Sequence, residues 1–218
     1  MKTTFYSFVL LLFAAGVIAQ EDKERITPKR NYVNLAYDHQ KNNFDRGALP
    51  VESIKSWFGV AAEMGVTYFI NEKNPASDML YFGIDLSYLD MQFNSFKLED
   101  TEGGPNKRDR FTNFLNLGIQ LGPTLTIMPR ERFSVNLFVH YAPSVAAYAL
   151  PSYDYVYYGY AGYITLGAKI ALRYVSLGVE TRYTETKLSY PGGNIEIKRT
   201  NPLELKIPNT RVILGFRF

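Results

Sequence analysis

The sequence contains no cysteine among its 218 residues. This absence excludes disulfide bonds, thiolate metal sites and cysteine nucleophiles, and also a lipoprotein anchor, which needs a cysteine at its processing site. The formal net charge is only +3 and no long run of one sign occurs, so nucleic acid is not predicted as a partner. Beyond residue 19, no segment approaches the ~18 consecutive apolar residues that indicate a transmembrane helix.

The first 19 residues have the features of a secretory signal peptide. Lys2 supplies the positive charge, residues 5–18 are almost continuously apolar, and Ala19 is a small residue suited to a cleavage site. The apolar run is shorter than the ~20 residues of a spanning helix. We therefore expect export, cleavage near Ala19, and a short charged periplasmic lead over residues 20–30.

Tyrosine and phenylalanine are abundant, with 17 and 15 copies, and the apolar residues alternate with polar ones. The alternation is strictest over residues 211–218, at the end of the chain. One face there carries Val212, Leu214, Phe216 and Phe218, and the other carries Arg211, Ile213, Gly215 and Arg217. A period of two with one wholly apolar face predicts a strand that meets lipid on that face.

Similar alternation recurs in seven earlier segments. It predicts strands over about 31–41, 54–70, 78–93, 110–127, 132–147, 157–174 and 177–190, before a closing strand that begins near Ile207. The predicted connections after the second, fourth and sixth strands are short, and the other four are longer. The fold class predicted from this pattern is all-β, an eight-stranded antiparallel up-and-down transmembrane β-barrel over residues 31–218, with both termini in the periplasm.

Three segments carry a resemblance to a known family. They read S-W-F-G-V-A-A-E-M-G-V-T-Y-F-I, M-L-Y-F-G-I-D-L-S-Y-L-D and, at the end of the chain, R-V-I-L-G-F-R-F. On these segments the chain resembles small outer-membrane barrels of the OmpA/OmpX type, and more narrowly those common in Bacteroidetes. The resemblance implies a monomer in the outer membrane of a Gram-negative bacterium, in contact with outer-membrane lipid and lipopolysaccharide. It also implies that Phe216 and Phe218 form a signal for the barrel-assembly machinery.

Polar and charged residues on the predicted inward faces form a candidate polar network in the lumen. They are Glu63, Asp85, Gln120, His140, Lys169, Arg173, Glu180, Arg182, Arg211 and Arg217. Because an eight-stranded barrel is only wide enough to be filled by side chains, buried charges in it must be paired. We expect an ionic plug, and a proton path, small-ion path or gate is the alternative.

Tyrosines cluster around the third outer connection, at Tyr148, Tyr153, Tyr155, Tyr157, Tyr158, Tyr160 and Tyr163. This pattern is typical of an aromatic girdle, or of a binding surface for a protein or glycan. Basic loop residues are candidates for contacts with lipopolysaccharide phosphates. The predicted loop contacts are Lys107, Arg108, Tyr153, Tyr155, Tyr157 and Tyr158.

Catalytic motifs are scarce. His39 beside Asp38 and Asp45 is the one candidate for a rim hydrolase, and its nucleophile would be Ser53, Ser56 or Ser152. There is no G-x-S-x-G elbow, and the acidic residues 99–102 lack the spacing of a calcium loop. The sequence therefore predicts no enzyme, metal or cofactor, and favours a structural or surface-interaction role. A lipid A or phospholipid-modifying enzyme, a narrow channel and an accessory barrel of a secretion system remain the alternatives.

Overall fold

The computed structural model describes residues 30–44, 53–71, 79–98, 110–130, 132–150, 155–189 and 203–218. The predicted signal peptide, residues 20–29 and the loop candidates Lys107, Arg108 and Tyr153 lie outside these ranges. Within them, no helix is long and apolar enough to cross a membrane.

Eight antiparallel strands close into a barrel in sequence order, which confirms the predicted fold class of an eight-stranded antiparallel barrel. The strands are β1 (Asn31–Phe44), β2 (Ser53–Phe69), β3 (Leu80–Leu98), β4 (Arg110–Arg130), β5 (Phe133–Leu150), β6 (Tyr155–Leu172), β7 (Val175–Leu188) and β8 (Leu203–Arg217). The last strand closes the barrel against the first, with Val33 opposite Phe216 and Tyr37 opposite Val212. The start of β1 and the end of β8 therefore lie at the same end of the barrel.

Side chains alternate between the lumen and the outside, as the period of two predicts. Over most of each strand the outward residues are apolar, and examples are Leu35, Leu117, Leu166 and Val179, each at least half exposed. We call this outward surface the apolar band. Most of the inward residues at the same levels are polar or charged, with a few apolar ones such as Phe138 and Ile213 among them.

The polarity reverses at the barrel end remote from the termini, which we call the collar. It comprises residues 41–44, 53–56, 95–98, 110–114, 147–150, 155–158, 185–188 and 203–207. Inside the collar lies an apolar cluster that includes Phe96, Phe114, Tyr148, Leu188 and Leu205. Most of its outward residues on β1, β2, β7 and β8 are polar, and they include Lys41, Lys55, Glu185, Lys187 and Lys206.

An extra residue in β2 corrects the predicted orientation of the only tryptophan. Unbroken alternation along β2 would direct Trp57 inward together with Glu63, but its side chain is 69% exposed on the outside, next to outward-facing Phe58. The pairing with β3 shifts between Ser56 and Phe58, so Trp57 is the additional residue of a β-bulge. Beyond the bulge the faces of β2 are exchanged, and Ile54 and Ser56 face the lumen.

A second bulge interrupts β3. Its pairing with β4 shifts between Ser87 and Asp90, so that two residues of β3, Tyr88 and Leu89, lie opposite a single residue of β4. Unbroken alternation from the start of β3 directs Asp90 outward, whereas its side chain is fully buried in the lumen. The bulge therefore adds a carboxylate to the interior that the period of two hides.

The strands extend further into the collar than predicted. β3 continues to Leu98, β5 continues to Leu150, and β8 begins at Leu203. The predicted loops over 94–109, 148–156 and 191–206 therefore begin or end inside paired strands. The physical reason is that a strand needs only alternating faces. In the collar the inward residues are apolar and many outward residues are polar, which is the reverse of the pattern used to predict the strands.

The connections at the end near the termini also differ from the prediction. The turn between β6 and β7 is Arg173 and Tyr174 rather than Val175 and Ser176, and Arg173 has a positive φ of 55°. β4 runs to Arg130, through the turn predicted over 128–131. The regular order of short and long connections does not hold either, because β5 and β6 are joined by residues 151–154 alone while residues 70–79 join β2 and β3.

Candidate functional site in the barrel lumen

The lumen contains most of the predicted polar network. The side chains buried there are Glu63, Asp85, Gln120, His140, Lys169, Glu180, Arg182, Arg211 and Arg217. The prediction for Arg173 is wrong, because this residue is exposed in the β6–β7 turn. Its guanidinium lies 4.7 Å from the centre of the Tyr174 ring. Because Arg173 lies in the two-residue turn between β6 and β7 and not in a strand, the alternation of strand faces does not apply to it.

Arg211 of β8 is the centre of the network. Its Nε donates to Asp38 Oδ2 at 3.1 Å, and its Nη1 donates to Asp90 Oδ1 at 2.9 Å and to Glu180 Oε1 at 3.1 Å. Its Nη2 donates to Gln92 Oε1 at 2.8 Å. One guanidinium thus joins β8 to β1, β3 and β7, because its planar donors can serve several acceptors at once.

Arg182 of β7 completes the central cluster from the other side of Asp90. Its Nη2 donates to Asp90 Oδ2 at 2.6 Å, so this carboxylate is held between two arginines. Its Nε lies 3.9 Å from Glu180 Oε1, and its guanidinium lies 4.6 Å from the centre of the Tyr163 ring. Burial of these charges is tolerable only because each has an opposite charge and a hydrogen bond.

Two acidic members of this cluster were absent from the predicted network. Asp38 lies on the polar side of the β1 alternation, so the pattern itself contained the signal for it. It accepts from Asn94 Nδ2 at 3.3 Å and from Asn209 Nδ2 at 3.1 Å, besides Arg211. Asp90 had no such signal, because only the bulge in β3 turns it inward.

A second cluster lies nearer the termini, around Glu63. Lys169 Nζ is 3.7 Å from Glu63 Oε2, and this carboxylate also accepts from Asn34 Nδ2 at 2.8 Å and from the Tyr32 hydroxyl at 3.1 Å. The Lys169 ammonium also lies 4.7 Å from the centre of the Phe138 ring. Aromatic faces and one carboxylate together replace the water that a lysine loses on burial.

His140 and Asp85 form a third pair in the same part of the lumen. His140 Nε2 lies 3.5 Å from Asp85 Oδ2, and its Nδ1 is 3.2 Å from Gln120 Oε1. The imidazole stacks on Phe138 with ring centres 4.6 Å apart. Asp85 Oδ1 accepts from the Thr67 hydroxyl at 3.1 Å.

The charges of the described lumen nearly cancel. Its buried carboxylates are Asp38, Glu63, Asp85, Asp90 and Glu180, and its buried permanent cations are Lys169, Arg182, Arg211 and Arg217. This balance is typical of a structural ionic plug, to which His140 beside Asp85 also belongs. An unbalanced lumen would instead carry a strong field for one sign of ion.

The lumen is closed towards the collar in two layers. Amide side chains form the first, in which Gln92 donates to Gln40 and Gln40 Nε2 donates to Asn42 Oδ1 at 2.6 Å. The apolar cluster forms the second, with the Tyr148 ring 6.1 Å from that of Phe96 and 6.3 Å from that of Phe114. A charged solute would have to lose its hydration to cross this apolar layer.

Several buried polar atoms of the lumen have no hydrogen-bond partner among the described residues. They include both side-chain polar atoms of Asn116, Gln120 Nε2, Thr165 Oγ1 and Arg182 Nη1. Buried groups of this kind are normally satisfied by ordered water. The described ranges contain no group of three His, Cys, Asp or Glu side chains arranged to hold a metal ion.

The rim hydrolase is not assembled from the described residues. His39 is exposed on the outer face of β1, while Ser56 faces the lumen and accepts a hydrogen bond from the Gln40 amide at 2.9 Å. Residues of opposite faces cannot meet through the barrel wall. Ser53 is exposed on the collar, and Ser152 lies outside the described ranges.

The tyrosine cluster divides between the two sides of the wall. Tyr148 and Tyr163 are fully buried in the lumen, and Tyr157 is half-buried against the apolar cluster. Tyr158 and Tyr160 face outward and are 49% and 59% exposed, and the Tyr160 hydroxyl is hydrogen-bonded to that of Tyr141. Tyr155 begins β6.

No protein-family model matches the chain, and no curated protein matches it. Among solved structures it is similar to Neisserial surface protein A (NspA), with 13% identity over 86% of this chain and 97% of that chain and a TM-score of 0.45. It is similar to Ail, the attachment invasion locus protein of Yersinia pestis, with 11% identity, 87% and 99% coverage and a TM-score of 0.43. Outer membrane protease OmpT from Escherichia coli gives 10% identity, 88% and 98% coverage and a TM-score of 0.43. The barrel assignment rests on the strand register itself rather than on these likenesses.

Proposed function

We propose that the chain is an integral β-barrel of a Gram-negative outer membrane with a non-enzymatic, surface-interaction role. The observation that carries this proposal is the reversal of polarity along the barrel. In the apolar band the outside is mostly apolar and the inside is mostly polar, whereas in the collar the inside holds an apolar cluster and the outside of β1, β2, β7 and β8 is mostly polar. A barrel in one solvent has no reason for this change, whereas a barrel that leaves lipid for water requires it.

The height of the apolar band fits a membrane. On β7 the outward side chains from residues 175–183 include Leu177, Val179 and Tyr183, and the next outward residues are Glu185 and Lys187. A membrane-spanning strand needs about 9–11 tilted residues, which agrees with this stretch. Exposed aromatic residues lie at both edges, as in interfacial girdles, with Trp57 and Tyr160 towards the collar and Tyr68 and Phe218 towards the termini.

The filled lumen favours a role on the outside of the barrel over a role as a channel. Arg211, its three carboxylates and the apolar layer of the collar obstruct the axis. We expect no conductance steps when the purified protein is added to planar lipid bilayers. Conductance steps of the wild-type protein that change when Arg211 is substituted would contradict a filled lumen.

The collar offers an apolar side for contact with a partner. On β5 and β6 its outward residues stay apolar, and Val156 and Tyr158 are about half exposed. Exposed tyrosine provides a large contact area at a low cost in side-chain entropy. This surface supports binding of a protein or glycan.

The finer assignment is to monomeric barrels of the OmpA/OmpX type, as found in Bacteroidetes, with Phe216 and Phe218 as the assembly signal. Its support is the strand pattern and the exposed aromatic end of β8, where Phe218 is 62% exposed. Deletion of Phe218 is expected to lower the amount of folded barrel in the outer membrane. The same deletion should leave the exported, unfolded chain in the periplasm.

The test of the proposal is electrophoresis of the outer-membrane fraction, boiled and unboiled. A membrane barrel resists detergent and migrates differently until it is heated. A heat-dependent shift supports the proposal, and a soluble protein in the periplasm contradicts it. Lipid A and phospholipid acylation should be the same with and without expression, whereas a change would favour a lipid-modifying enzyme.

A further inference from the structure

Two lysines lie directly opposite each other on the outer wall of the collar. Lys41 of β1 is paired with Lys55 of β2, and both side chains project to the outside of the barrel. Side chains that are opposite each other in antiparallel strands have Cβ atoms about 5 Å apart, and like charges at such positions are destabilising. An anion that contacts both ammonium groups would offset this repulsion.

The pair exists because of the bulge in β2. Between the pairs formed by Tyr37 with Val60 and by Lys41 with Lys55, three residues of β1 face four residues of β2. The additional residue is Trp57, and without it Lys55 would point into the apolar interior of the collar. Bulges commonly redirect a side chain at a functional position.

The position of the pair corresponds to the headgroup level of the proposed membrane. Trp57, two residues from Lys55, is outward and meets Phe111 with ring centres 6.3 Å apart. Tryptophan is enriched at the boundary between hydrocarbon and headgroups. On β1, exposed Tyr37 lies at the same edge of the apolar band. Exposed His39 and then Lys41 are the next outward residues of this strand towards the collar.

Other lysines of the outer collar already have partners. Lys187 is paired with Glu204, and Lys206 Nζ lies 3.2 Å from Glu185 Oε1. Neither Lys41 nor Lys55 has an ion-pair partner among the described residues. Among the described residues, these two ammonium groups are therefore the lysine charges of the outer collar that no carboxylate contacts.

We propose that Lys41 and Lys55 together bind the phosphate of a lipid headgroup. The proposal rests on the membrane location proposed above. A phosphate oxygen between two ammonium groups would replace their repulsion with two charge-assisted hydrogen bonds. The chemistry is shared by phospholipid and by the phosphorylated sugar of lipid A, and the hydrocarbon chains of either would lie on the apolar band beneath.

The experiment compares unfolding by urea in three kinds of vesicle. They consist of phosphatidylcholine alone, phosphatidylcholine with phosphatidylglycerol, and phosphatidylcholine with monophosphoryl lipid A. The fluorescence of Trp57, the only tryptophan, reports unfolding without a label. The variants are Lys55→Gln and Lys41→Gln/Lys55→Gln, and the matched control is Lys187→Gln, which removes the same charge from a lysine that has a partner.

We expect anionic lipid to raise the folding equilibrium constant of the wild-type protein by about tenfold, since each basic residue near an anionic surface contributes noticeably to its attraction. This gain should fall sharply in Lys55→Gln and disappear in the double variant, while Lys187→Gln retains it. In phosphatidylcholine alone the double variant should be at least as stable as the wild type, because the repulsion has been removed. The anionic mixture that raises the folding equilibrium constant of the wild type more contains the preferred headgroup, phosphatidylglycerol or lipid A.

Equal gains in the wild type and the double variant would overturn the proposal. So would an equal loss of stability in every vesicle, which would mean that the lysines bind a carboxylate of the protein itself. If inorganic phosphate added to phosphatidylcholine vesicles reproduces the whole gain, the site binds a free anion and not a headgroup. Failure of the wild type to insert into any vesicle would instead contradict the proposed membrane location.

Discussion

The apolar band and the collar are built from the same eight strands, yet their side chains are arranged in opposite ways. On β8, Arg211 faces the lumen and Leu214 faces outward, whereas Leu205 faces the lumen and Lys206 faces outward. The alternation of the backbone is the same in both regions. A strand therefore provides only two faces, and under the proposed membrane location the polar face is the one that does not meet lipid.

The two regions are also stabilised differently. The band has a charged interior, where Arg211 and Arg182 hold three carboxylates, and the collar has an apolar interior built on aromatic rings. A buried ion pair is specific but expensive to desolvate, whereas an apolar cluster gains from burial directly. We therefore expect the band to be sensitive to loss of a charge and the collar to be sensitive to loss of volume.

The largest effect is expected from Arg211→Leu in the band. The substitution leaves Asp38, Asp90 and Glu180 without their shared cation, and breaking a buried ion pair costs about 3–5 kcal/mol. Urea unfolding in vesicles, followed by Trp57 fluorescence, measures the change. Arg173→Gln in the exposed turn is the control and should change stability by less than about 0.5 kcal/mol. Equal stability of Arg211→Leu and the wild type would contradict the central role of this residue.

Phe114→Ala is the corresponding change in the collar. It removes a fully buried ring from the apolar cluster, and a loss of about 3 kcal/mol is expected from the lost burial and the cavity left behind. Phe111→Ala on the outward face of the same strand is the control and should cost about 1 kcal/mol or less. If the two variants lose the same stability, the inside of the collar is not a packed core.

Leu166→Arg tests the outer surface of the band. Leu166 is 61% exposed on β6, and an arginine on the lipid face of a barrel costs about 2 kcal/mol or more near the midplane. Ser189→Arg, which is also outward but lies beyond β7 at the collar, should be within about 0.5 kcal/mol of the wild type. Urea unfolding of the two variants in vesicles measures the difference. Equal stability of both variants would mean that the apolar band does not contact lipid.

The smallest effect is expected from Glu204→Gln on the outer collar. The change breaks the ion pair with Lys187, in which both side chains are exposed, and such pairs contribute about 0.5 kcal/mol. The difference from the wild type should vanish in about 0.5 M salt, because salt screens exposed charges. A loss above about 1.5 kcal/mol that is insensitive to salt would mean that the collar surface is not in water.

The alternation predicted the fold and much of the lumen. Glu63, Lys169 and Arg211 face inward because each lies in a long stretch of unbroken period two. The pattern failed where a bulge adds a residue to a strand, at Trp57 in β2 and just before Asp90 in β3. A bulge exchanges the inward and outward faces, and no residue type in the sequence indicates where it occurs. It also failed in the collar, where Tyr148 was assigned to a loop surface, because inward apolar and outward polar residues reverse the expected sign.

The sequence by itself determined an all-β chain whose strands have one apolar and one polar face. Period-two alternation is a local property and needs no partner strand to be visible. Only the tertiary structure decided which charges meet. Arg211 reaches Asp38, Asp90 and Glu180, which are 173, 121 and 31 residues away, because closure of β8 against β1 brings distant strands around one axis. Such contacts depend on register, bulges and closure, and these are set by the pairing of whole strands rather than by any one of them.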